Sequence, residues 1–283
     1  MSNKPNKVSV HGGHSGQFCQ HAKDSLEEVI QAYIAQGFTW VGITEHMPPL
    51  SDAMRYDDEI EAQLSAESLQ RRFEDYFQLC RALQLKYAEQ IEIMTAFETE
   101  TYDSSLAYIK TLVEKVKPDY LVGSVHHVGG IAIDYSPELY HDAVSAVGGV
   151  EALYCRYFDE QYLMLKELKP AVVGHFDLVR IFDERYLGRL ESPEIWSKIE
   201  RNLAYIAQEG LILDFNLRGF DKSVEQYPSM AVLKKAISLG ISIVPGDDSH
   251  GVDSVGRNYE RGLKVLTELG VSGEWVRPVC FFW

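Results

Sequence analysis

The stretch "FTWVGITEHMPPL" (residues 38–50) contains a complete short strand together with the point at which it ends. The segment "FTWVGIT" is apolar and β-branched and has the length of a buried strand, whereas Pro48 and Pro49 prevent the strand from continuing. The strand therefore ends beside Glu45 and His46. Polar, reactive side chains thus stand at the carboxyl end of an apolar segment.

An amphipathic helix is predicted immediately before this strand. Apolar residues recur there at helical spacing, at Leu26, Val29, Ile30, Tyr33 and Ile34. Asp24 can cap the start of the helix with Glu27 three residues later, and Gly37 can end it. The unit is a helix followed by a buried strand.

The same alternation recurs along the whole chain. Further strands are predicted at "VSV" (8–10), "IEIMTAF" (91–97), "DYLVGSV" (119–125), "AVVGH" (171–175), "LILDFN" (211–216) and "ISIVPG" (241–246). Helices are predicted near 64–90, 104–115, 136–168, 194–208, 229–238 and 257–269. Buried strands separated by helices indicate a parallel sheet, and about seven such units indicate a closed α/β barrel. We expect one domain spanning residues 1–283.

Composition limits the function classes. A formal charge of −15 without a basic stripe argues against nucleic acid as a partner. The sequence has no run of eighteen apolar residues, and no apolar stretch follows the charged N-terminus to act as a signal sequence, so we expect no membrane contact and a cytoplasmic location. Four cysteines without a CxxC pair are expected to be reduced thiols: Cys19, Cys80, Cys155 and Cys280.

Histidines collect where the predicted strands end. Those that follow a strand are His11, His14, His46, His126, His127, His175 and His250, and His21 lies in the first of these loops. Glu98 ends the third strand, and Asp248 stands two residues before His250. In barrels the carboxyl ends of the strands converge on one mouth. Each histidine alone could be an ordinary surface residue, but together they predict a polynuclear metal site built from imidazoles and carboxylates.

Two glycines separate the first pair of histidines in "HGGH". Gly12 and Gly13 would let the backbone adopt turns closed to other residues, so that His11 and His14 could both face one ion.

Six segments, in order, resemble the motifs of one family. They are "HSGQFCQHA" (14–22), "TEHMP" (44–48), "FETE" (97–100), "SVHH" (124–127), "GHFD" (174–177) and "GDDSH" (246–250). On these motifs the chain resembles the polymerase and histidinol phosphatase (PHP) superfamily, and within it the histidinol-phosphate phosphatases. The usual first motif has one residue between its two histidines, whereas two glycines displace His11 by one position here.

The resemblance implies a distorted (β/α)7 barrel that holds three divalent ions. Carried onto matching positions, it gives one ion the ligands His11, His14, Glu98 and Asp248. It gives a second ion His21, His46 and His250, and a third His126 and His175, with Glu98 bridging. Imidazole and carboxylate suit zinc, manganese or iron, and the sequence does not choose among them.

The activity implied is hydrolysis of a small phosphate ester, with L-histidinol phosphate as the leading substrate. A water between two ions loses a proton near neutral pH and attacks phosphorus, so no protein nucleophile is needed. Glu98, Asp248 and Asp177 are the candidate catalytic residues. Asp177 could orient a metal ligand or protonate the leaving alkoxide.

Arginines and acids near the strand ends are candidates for substrate contacts. Arg180, Arg218 and Arg257 each follow a strand end and could bind phosphate oxygens in pairs. Glu100 or Asp134 would suit the amine and imidazole of histidinol phosphate.

Alternatives remain at this stage. The same site could cleave another small phosphate ester or a nucleotide, or the chain could be a metal-binding regulatory module without turnover. A nucleophilic Cys19 is disfavoured because the neighbouring histidines are better used on metal. The oligomeric state is left open.

Overall fold

A computed structural model describes residues 5–102 and 104–279, so Cys280 lies outside the described residues. The strands are, in chain order, β1 (Lys7–Ser9), β2 (Phe38–Ile43), β3 (Glu92–Thr95), β4 (Phe97–Glu98), β5 (Leu121–Gly123), β6 (His127–Val128), β7 (Ile131–Ala132), β8 (Val172–Val173), β9 (Ile212–Asn216) and β10 (Ser242–Gly246). The helices are α1 (Leu26–Ala35), α2 (Asp57–Glu61), α3 (Ala66–Lys86), α4 (Ser105–Val116), α5 (Pro137–Val147), α6 (Val150–Leu168), α7 (Tyr186–Leu190), α8 (Pro193–Glu209), α9 (Gly219–Lys222), α10 (Met230–Ser238) and α11 (Tyr259–Glu268).

The parallel strands close into a barrel. β1, β2 and β3 pair in that order, and β4, β5, β8, β9 and β10 pair in theirs. Only Ala96 separates β3 from β4, so the two form one interrupted strand. On the other side, the Val10 N–H donates to the Pro245 carbonyl at 2.9 Å. The distorted seven-stranded α/β barrel predicted from the sequence is confirmed, and the antiparallel hairpin of β6 and β7 is an unpredicted addition.

Alternation along the strands separates two apolar cores. One lies between the barrel and its helices and includes Val41, Ile93 and Leu213. The other contains residues one position away on the same strands, such as Trp40 and Met94, and fills the barrel interior. Side chains that keep the same alternation beyond the carboxyl end of a strand therefore lie at the mouth of the barrel.

The start of α1 differs from the prediction by one residue. Ser25 is the N-cap and forms a capping box with Glu28, its N–H donating to Glu28 Oε2 at 2.8 Å. Asp24 cannot cap because it adopts a left-handed conformation with φ of +64°, and its carboxylate accepts the Val252 N–H instead. Gly37, at φ +77°, follows the end of the helix as expected.

The longest helices are amphipathic and bury one face against the barrel. In α3 the buried side chains include Leu69, Phe73, Tyr76 and Cys80, while most of the remaining positions are polar or charged. Among the described residues, no helix combines the length and the apolar character that crossing a membrane requires.

Candidate metal centre

The interior faces of four strands lead directly to site residues. Counting in steps of two along a strand, Trp40 leads to His46, and Met94 leads to Glu98. The same period connects Val122 with His126 and Val244 with Asp248. Because side chains two residues apart share a face, the strand geometry aims these groups into the barrel mouth.

Glu98 lies at the centre of the histidines. Its Oε2 is 3.3 Å from His11 Nε2, 3.5 Å from His46 Nδ1 and 3.9 Å from His14 Nε2. Its Oε1 is 2.8 Å from His175 Nε2 and 3.2 Å from His126 Nε2. The two oxygens thus face different sets of imidazoles, which is the arrangement that a carboxylate bridging two cations requires.

Charge states differ across the cluster: burial lowers the pKa of His11 and of His126, but the neighbouring carboxylates outweigh burial and hold both well above the usual value. Burial raises the pKa of Glu98, but the imidazoles of His11 and His126 outweigh burial and hold it well below the usual range. Burial and the neighbouring His46 lower the pKa of His14 to about 3, which keeps its imidazole neutral. Glu98 and His14 are thus in the ligand forms that divalent cations bind, an ionised carboxylate and a neutral imidazole.

Asp248 lies beside the Glu98 group. Its Oδ1 is 3.3 Å from His14 Nε2 and 3.5 Å from His250 Nδ1. Its Oδ2 accepts from Asn216 Nδ2 at 3.2 Å. The rings of His14 and His250 lie 4.3 Å apart, so Asp248 and His250 extend the cluster beyond His14.

His21 stands at the outer edge of the cluster. Its side chain is 43% exposed, and its ring stacks on His250 at 5.1 Å and lies 5.3 Å from His46. Cys19 Sγ lies 3.3 Å from His21 Nε2, and Asp58 Oδ2 lies 3.8 Å from His21 Nδ1. The sequence reasoning assigned no ligand role to these two neighbours.

Two carboxylates orient two of the five imidazoles that face Glu98. Asp214 Oδ2 is 2.8 Å from His11 Nδ1, and Asp134 Oδ2 is 2.9 Å from His126 Nδ1. Each contact turns Nε2 of the histidine towards Glu98. Asp214 was missed from the sequence, although it stands on the same interior face of its strand as Asn216, where period-two counting would have found it.

The HGGH spacing brings both histidines to the centre for a reason other than the one predicted. Neither Gly12 nor Gly13 has a positive φ. A Cβ on Gly12 would lie 2.2 Å from the Gly42 carbonyl oxygen, and one on Gly13 would lie 2.6 Å from Val29 Cγ1. The glycines are therefore required by close packing of this loop against β2 and α1, not by a special turn.

The donor set fits bound cations. Among the described residues, buried imidazole nitrogens of His11, His14, His46 and His175 make no hydrogen bond. Buried polar atoms without partners cost free energy, so a bound species is needed to satisfy them. Three residue groups of suitable spacing surround this space: His11 with His14 and Glu98; His14 with His46 and His250; and His46 with Glu98 and His126. A fourth group joins Cys19 and His21 with His46.

A cavity of about 350 Å³ opens over the cluster. Glu98, His126 and His175 form part of its floor, and Arg218 and Lys222 bring positive charge to it. Lys222 was not singled out from the sequence, although it follows Arg218 by four residues, at the end of the short helix α9 that Arg218 caps. A cavity of this size suits a small molecule.

The two acids expected to meet an amine have partners within the protein. Glu100 Oε2 accepts from the Tyr56 hydroxyl at 2.6 Å, and its Oε1 lies 3.2 Å from His46 Nδ1. Asp134 is paired with His126. Both residues line the cavity, so they face a ligand with part of their hydrogen-bonding capacity already used.

Of the three predicted phosphate-binding arginines, only Arg218 reaches the cavity. Its NH1 donates to the Asp248 carbonyl at 3.0 Å and contacts His250 Nδ1. Arg257 stands further out, 48% exposed, beside Asp221 and Asp253.

Arg180 requires a correction. It is buried, and its guanidinium lies over the rings of Tyr227 and Tyr186, with centroids at 4.2 and 4.8 Å. It also donates to Ser223 Oγ at 2.8 Å. Because its donors face the protein and it does not line the cavity, the predicted direct contact with phosphate is replaced by a packing role.

Asp177 is also placed differently from the expectation. Its Oδ2 accepts the Ser229 N–H at 2.8 Å, and its Oδ1 lies 3.4 Å from Arg180 Nε. The side chain is fully buried and does not line the cavity. Asp177 therefore stabilises the positions of Ser229 and Arg180 and has no access to a leaving group.

The chain is similar in sequence to proteins of a known family. Residues 12–218 match the PHP domain family. A Schizosaccharomyces pombe protein named "Probable histidinol-phosphatase" is 38% identical over 271 residues, covering 94% of this chain and 87% of that protein. The chain belongs to the PHP domain family. The Saccharomyces cerevisiae histidinol-phosphatase is also similar to this PHP chain, at 28% identity over 92% of this chain and 88% of its own length.

Solved structures give the same PHP barrel. A crystal structure of a candidate histidinol phosphatase from Listeria monocytogenes matches with a TM-score of 0.79 and 28% identity, covering 90% of this chain and 99% of that one. The histidinol phosphate phosphatase of Lactococcus lactis, crystallised with zinc, L-histidinol and phosphate, matches with a TM-score of 0.71 and 19% identity over 96% of this chain and 95% of that one. The second match supports the fold alone.

Proposed function

We propose that this chain is a metal-dependent phosphomonoesterase that hydrolyses L-histidinol phosphate to L-histidinol and phosphate. The observation that carries the proposal is the central Glu98, whose two oxygens face different imidazoles beneath a cavity of about 350 Å³. The relatives in yeasts are named for this activity and cover most of the chain. A small phosphorylated molecule is the partner that this cavity suits.

The metal ligands proposed are those predicted from the sequence. They are His11, His14, His21, His46, Glu98, His126, His175, Asp248 and His250. Three divalent ions of zinc, manganese or iron fit this number of donors. When bound, they would lower the pKa of a water and offset the negative charge on the phosphoryl oxygens.

The chain's own residues prepare the site for the ester. Asp214 and Asp134 hold His11 and His126 in the tautomer that presents Nε2 to the centre. Arg218 stands at the cavity wall with its guanidinium beside the Asp248 carbonyl, where it can donate to a phosphoryl oxygen. Glu100 and Asp134 also line the cavity and make part of it acidic, which suits the amine and imidazole of the substrate.

We further propose that residues 1–283 act as one domain and that the enzyme works in the cytoplasm. The closed barrel uses strands from both ends of the chain, since β1 is joined to β10. The negative charge and the absence of a basic stripe support a small-molecule substrate over nucleic acid.

A phosphate-release panel tests the activity. Protein loaded separately with zinc, manganese or iron would be given L-histidinol phosphate, nucleotides, other small phosphate esters and single-stranded DNA, and its metal content would be measured. We expect L-histidinol phosphate to give the highest kcat/KM. A higher kcat/KM for another ester would reassign the substrate, and no hydrolysis of any ester by fully loaded protein would favour a regulatory module.

A further inference from the structure

Tyr227 brings an unused hydroxyl to the wall of the cavity. The residue lines the cavity beside His175, with the two ring centroids 6.4 Å apart. Its side chain is 2% exposed, and its hydroxyl makes no hydrogen bond to any residue that the structure describes. A buried hydroxyl without a partner is costly, so the fold retains a donor that a ligand could satisfy.

The backbone and the ring of Tyr227 are each held by a neighbouring residue. Its backbone pairs with Asn216, whose N–H donates to the Tyr227 carbonyl at 2.8 Å and whose carbonyl accepts from Tyr227 at 3.2 Å. The Arg180 guanidinium lies 4.2 Å from the ring centroid and donates to the Gln226 carbonyl. The segment that carries the hydroxyl is therefore fixed before any ligand arrives.

The chemistry of this wall suits an anion. Burial raises the pKa of Tyr227, Arg180 opposes the shift, and the charges of Asp177, Asp134 and Asp248 add to it, so the phenol stays protonated and acts as a donor. Arg218 and Lys222 bring positive charge to the same cavity. An oxygen of a phosphate group is an acceptor that carries the charge these side chains favour.

We propose that the Tyr227 hydroxyl donates a hydrogen bond to a phosphate oxygen of the substrate, and that Arg180 is a positioning residue that holds the Tyr227 ring. This inference rests on the proposed phosphomonoesterase function. It gives Arg180 an indirect part in phosphate binding in place of the direct contact that the sequence suggested.

Binding of inorganic phosphate tests whether the Tyr227 hydroxyl contacts a phosphate oxygen. We would measure its dissociation constant by calorimetry with metal-loaded protein, comparing wild type with Tyr227→Phe. A hydrogen bond to a charged group predicts binding weaker by on the order of 10-fold in the variant. The metal content should not change. The melting temperature of the metal-free variant should be equal or higher, since no hydrogen bond within the protein is lost.

Tyr186→Phe is the matched control. Tyr186 covers the other face of Arg180, and its hydroxyl donates to Glu225 Oε1 at 2.6 Å, away from the cavity. We expect this variant to lose some thermal stability and to bind phosphate as the wild type does. Unchanged phosphate affinity in fully loaded Tyr227→Phe, or no phosphate binding by loaded wild type, would overturn the proposal.

A double-mutant cycle tests the positioning role of Arg180. Arg180→Met should weaken phosphate binding in the wild-type background and have little further effect in the Tyr227→Phe background, because its influence passes through the hydroxyl. Additive effects would refute that role, and Arg180→Lys replaces Arg180→Met if the latter does not fold. The choice of ester does not enter these measurements, so a different preferred substrate would overturn the histidinol assignment and leave this inference standing.

Discussion

Asp214 Oδ2 lies 2.8 Å from His11 Nδ1, and neither side chain is reached by solvent. The same carboxylate oxygen accepts from Asn216 Nδ2 at 3.0 Å, which fixes its position. The contact places the His11 proton on Nδ1 when the ring is neutral and turns Nε2 towards Glu98 Oε2 at 3.3 Å, where it would bind a cation in the proposed site. A residue that no motif includes thus controls the first histidine of the site.

Asp214→Asn should therefore weaken metal binding. An amide can still contact His11, but it no longer favours one tautomer or raises the basicity of the ring. Loss of such an orienting carboxylate typically costs about 10–100-fold in metal affinity or activity. Competition with a chromophoric chelator would measure the affinity, and Asp142→Asn, at an exposed site on α5, is the matched control. Equal affinities in the two variants would show that Asp214 does not control His11.

Glu98→Gln should remove more than one ion and abolish turnover. The carboxylate faces His11, His14 and His46 with one oxygen and His126 and His175 with the other, and an amide offers only one oxygen. We expect a lower metal stoichiometry by elemental analysis together with a loss of activity. Near-normal activity with a full metal complement would exclude the bridging role.

The sequence predicted the fold well because the barrel repeats one local signal. Each strand is a short apolar run, each helix is amphipathic, and the strand carrying "FTWVGIT" ends within one residue of the prediction. The errors in the predicted fold concern short stretches of the chain, such as the ends of elements. The α1 cap moved from Asp24 to Ser25 because Asp24 is used by the Val252 N–H, a contact across 228 residues that no window of sequence contains.

The site was predictable where residues stand at strand ends, and less so beyond them. His46, Glu98 and His126 follow from strand period and the barrel rule. The position of an arginine after a strand does not show which way its side chain turns. Arg180 packs between two tyrosines while Arg218 enters the cavity, and this difference depends on the tertiary contacts of the loop at residues 223–229.

Arg218 and Arg257 should therefore respond differently to substitution. Arg218→Met removes the guanidinium from the cavity wall, and loss of a charge-assisted hydrogen bond predicts a KM for the phosphate ester higher by about 10-fold or more. Arg257→Met removes an exposed side chain beside Asp221 and Asp253 and should leave KM unchanged. Steady-state kinetics at saturating metal gives both values. An equal rise in KM in both variants would place phosphate nearer the outer rim.

Glu59 should make stability depend on pH. Burial raises its pKa from 4.5 to about 7, and Glu100 and Asp58 add to the shift. A carboxyl with a raised pKa in the folded state keeps its proton there, so the stability that it contributes at low pH is lost as pH rises from 4.5 to about 7.

Glu59→Gln should remove this loss of folding stability at high pH. We expect the melting temperature of the metal-free protein to rise by about 2 °C at pH 8 and to stay unchanged at pH 4, measured by calorimetry. Glu61→Gln, on the same helix and exposed, is the control and should show neither effect. A gain for Glu59→Gln at pH 4 as large as that at pH 8 would mean that titration of Glu59 is not the cause.

Cys19→Ser distinguishes a thiol nucleophile from a residue that packs near the metals. Burial raises the pKa of Cys19 to about 12, so the thiolate that an attack on phosphorus requires is scarce at neutral pH. Its sulfur lies 3.3 Å from His21 Nε2, and it forms a possible metal-binding group with His21 and His46. We expect the variant to keep kcat within about 3-fold when metal is saturating, as for a change that alters packing alone.

An intermediate loss of activity that excess metal restores would instead make Cys19 a ligand of the outer ion. Complete loss of turnover with full metal content would support Cys19 as the nucleophile. Phosphate trapped covalently on Cys19 of the wild-type protein at low pH would then confirm that role.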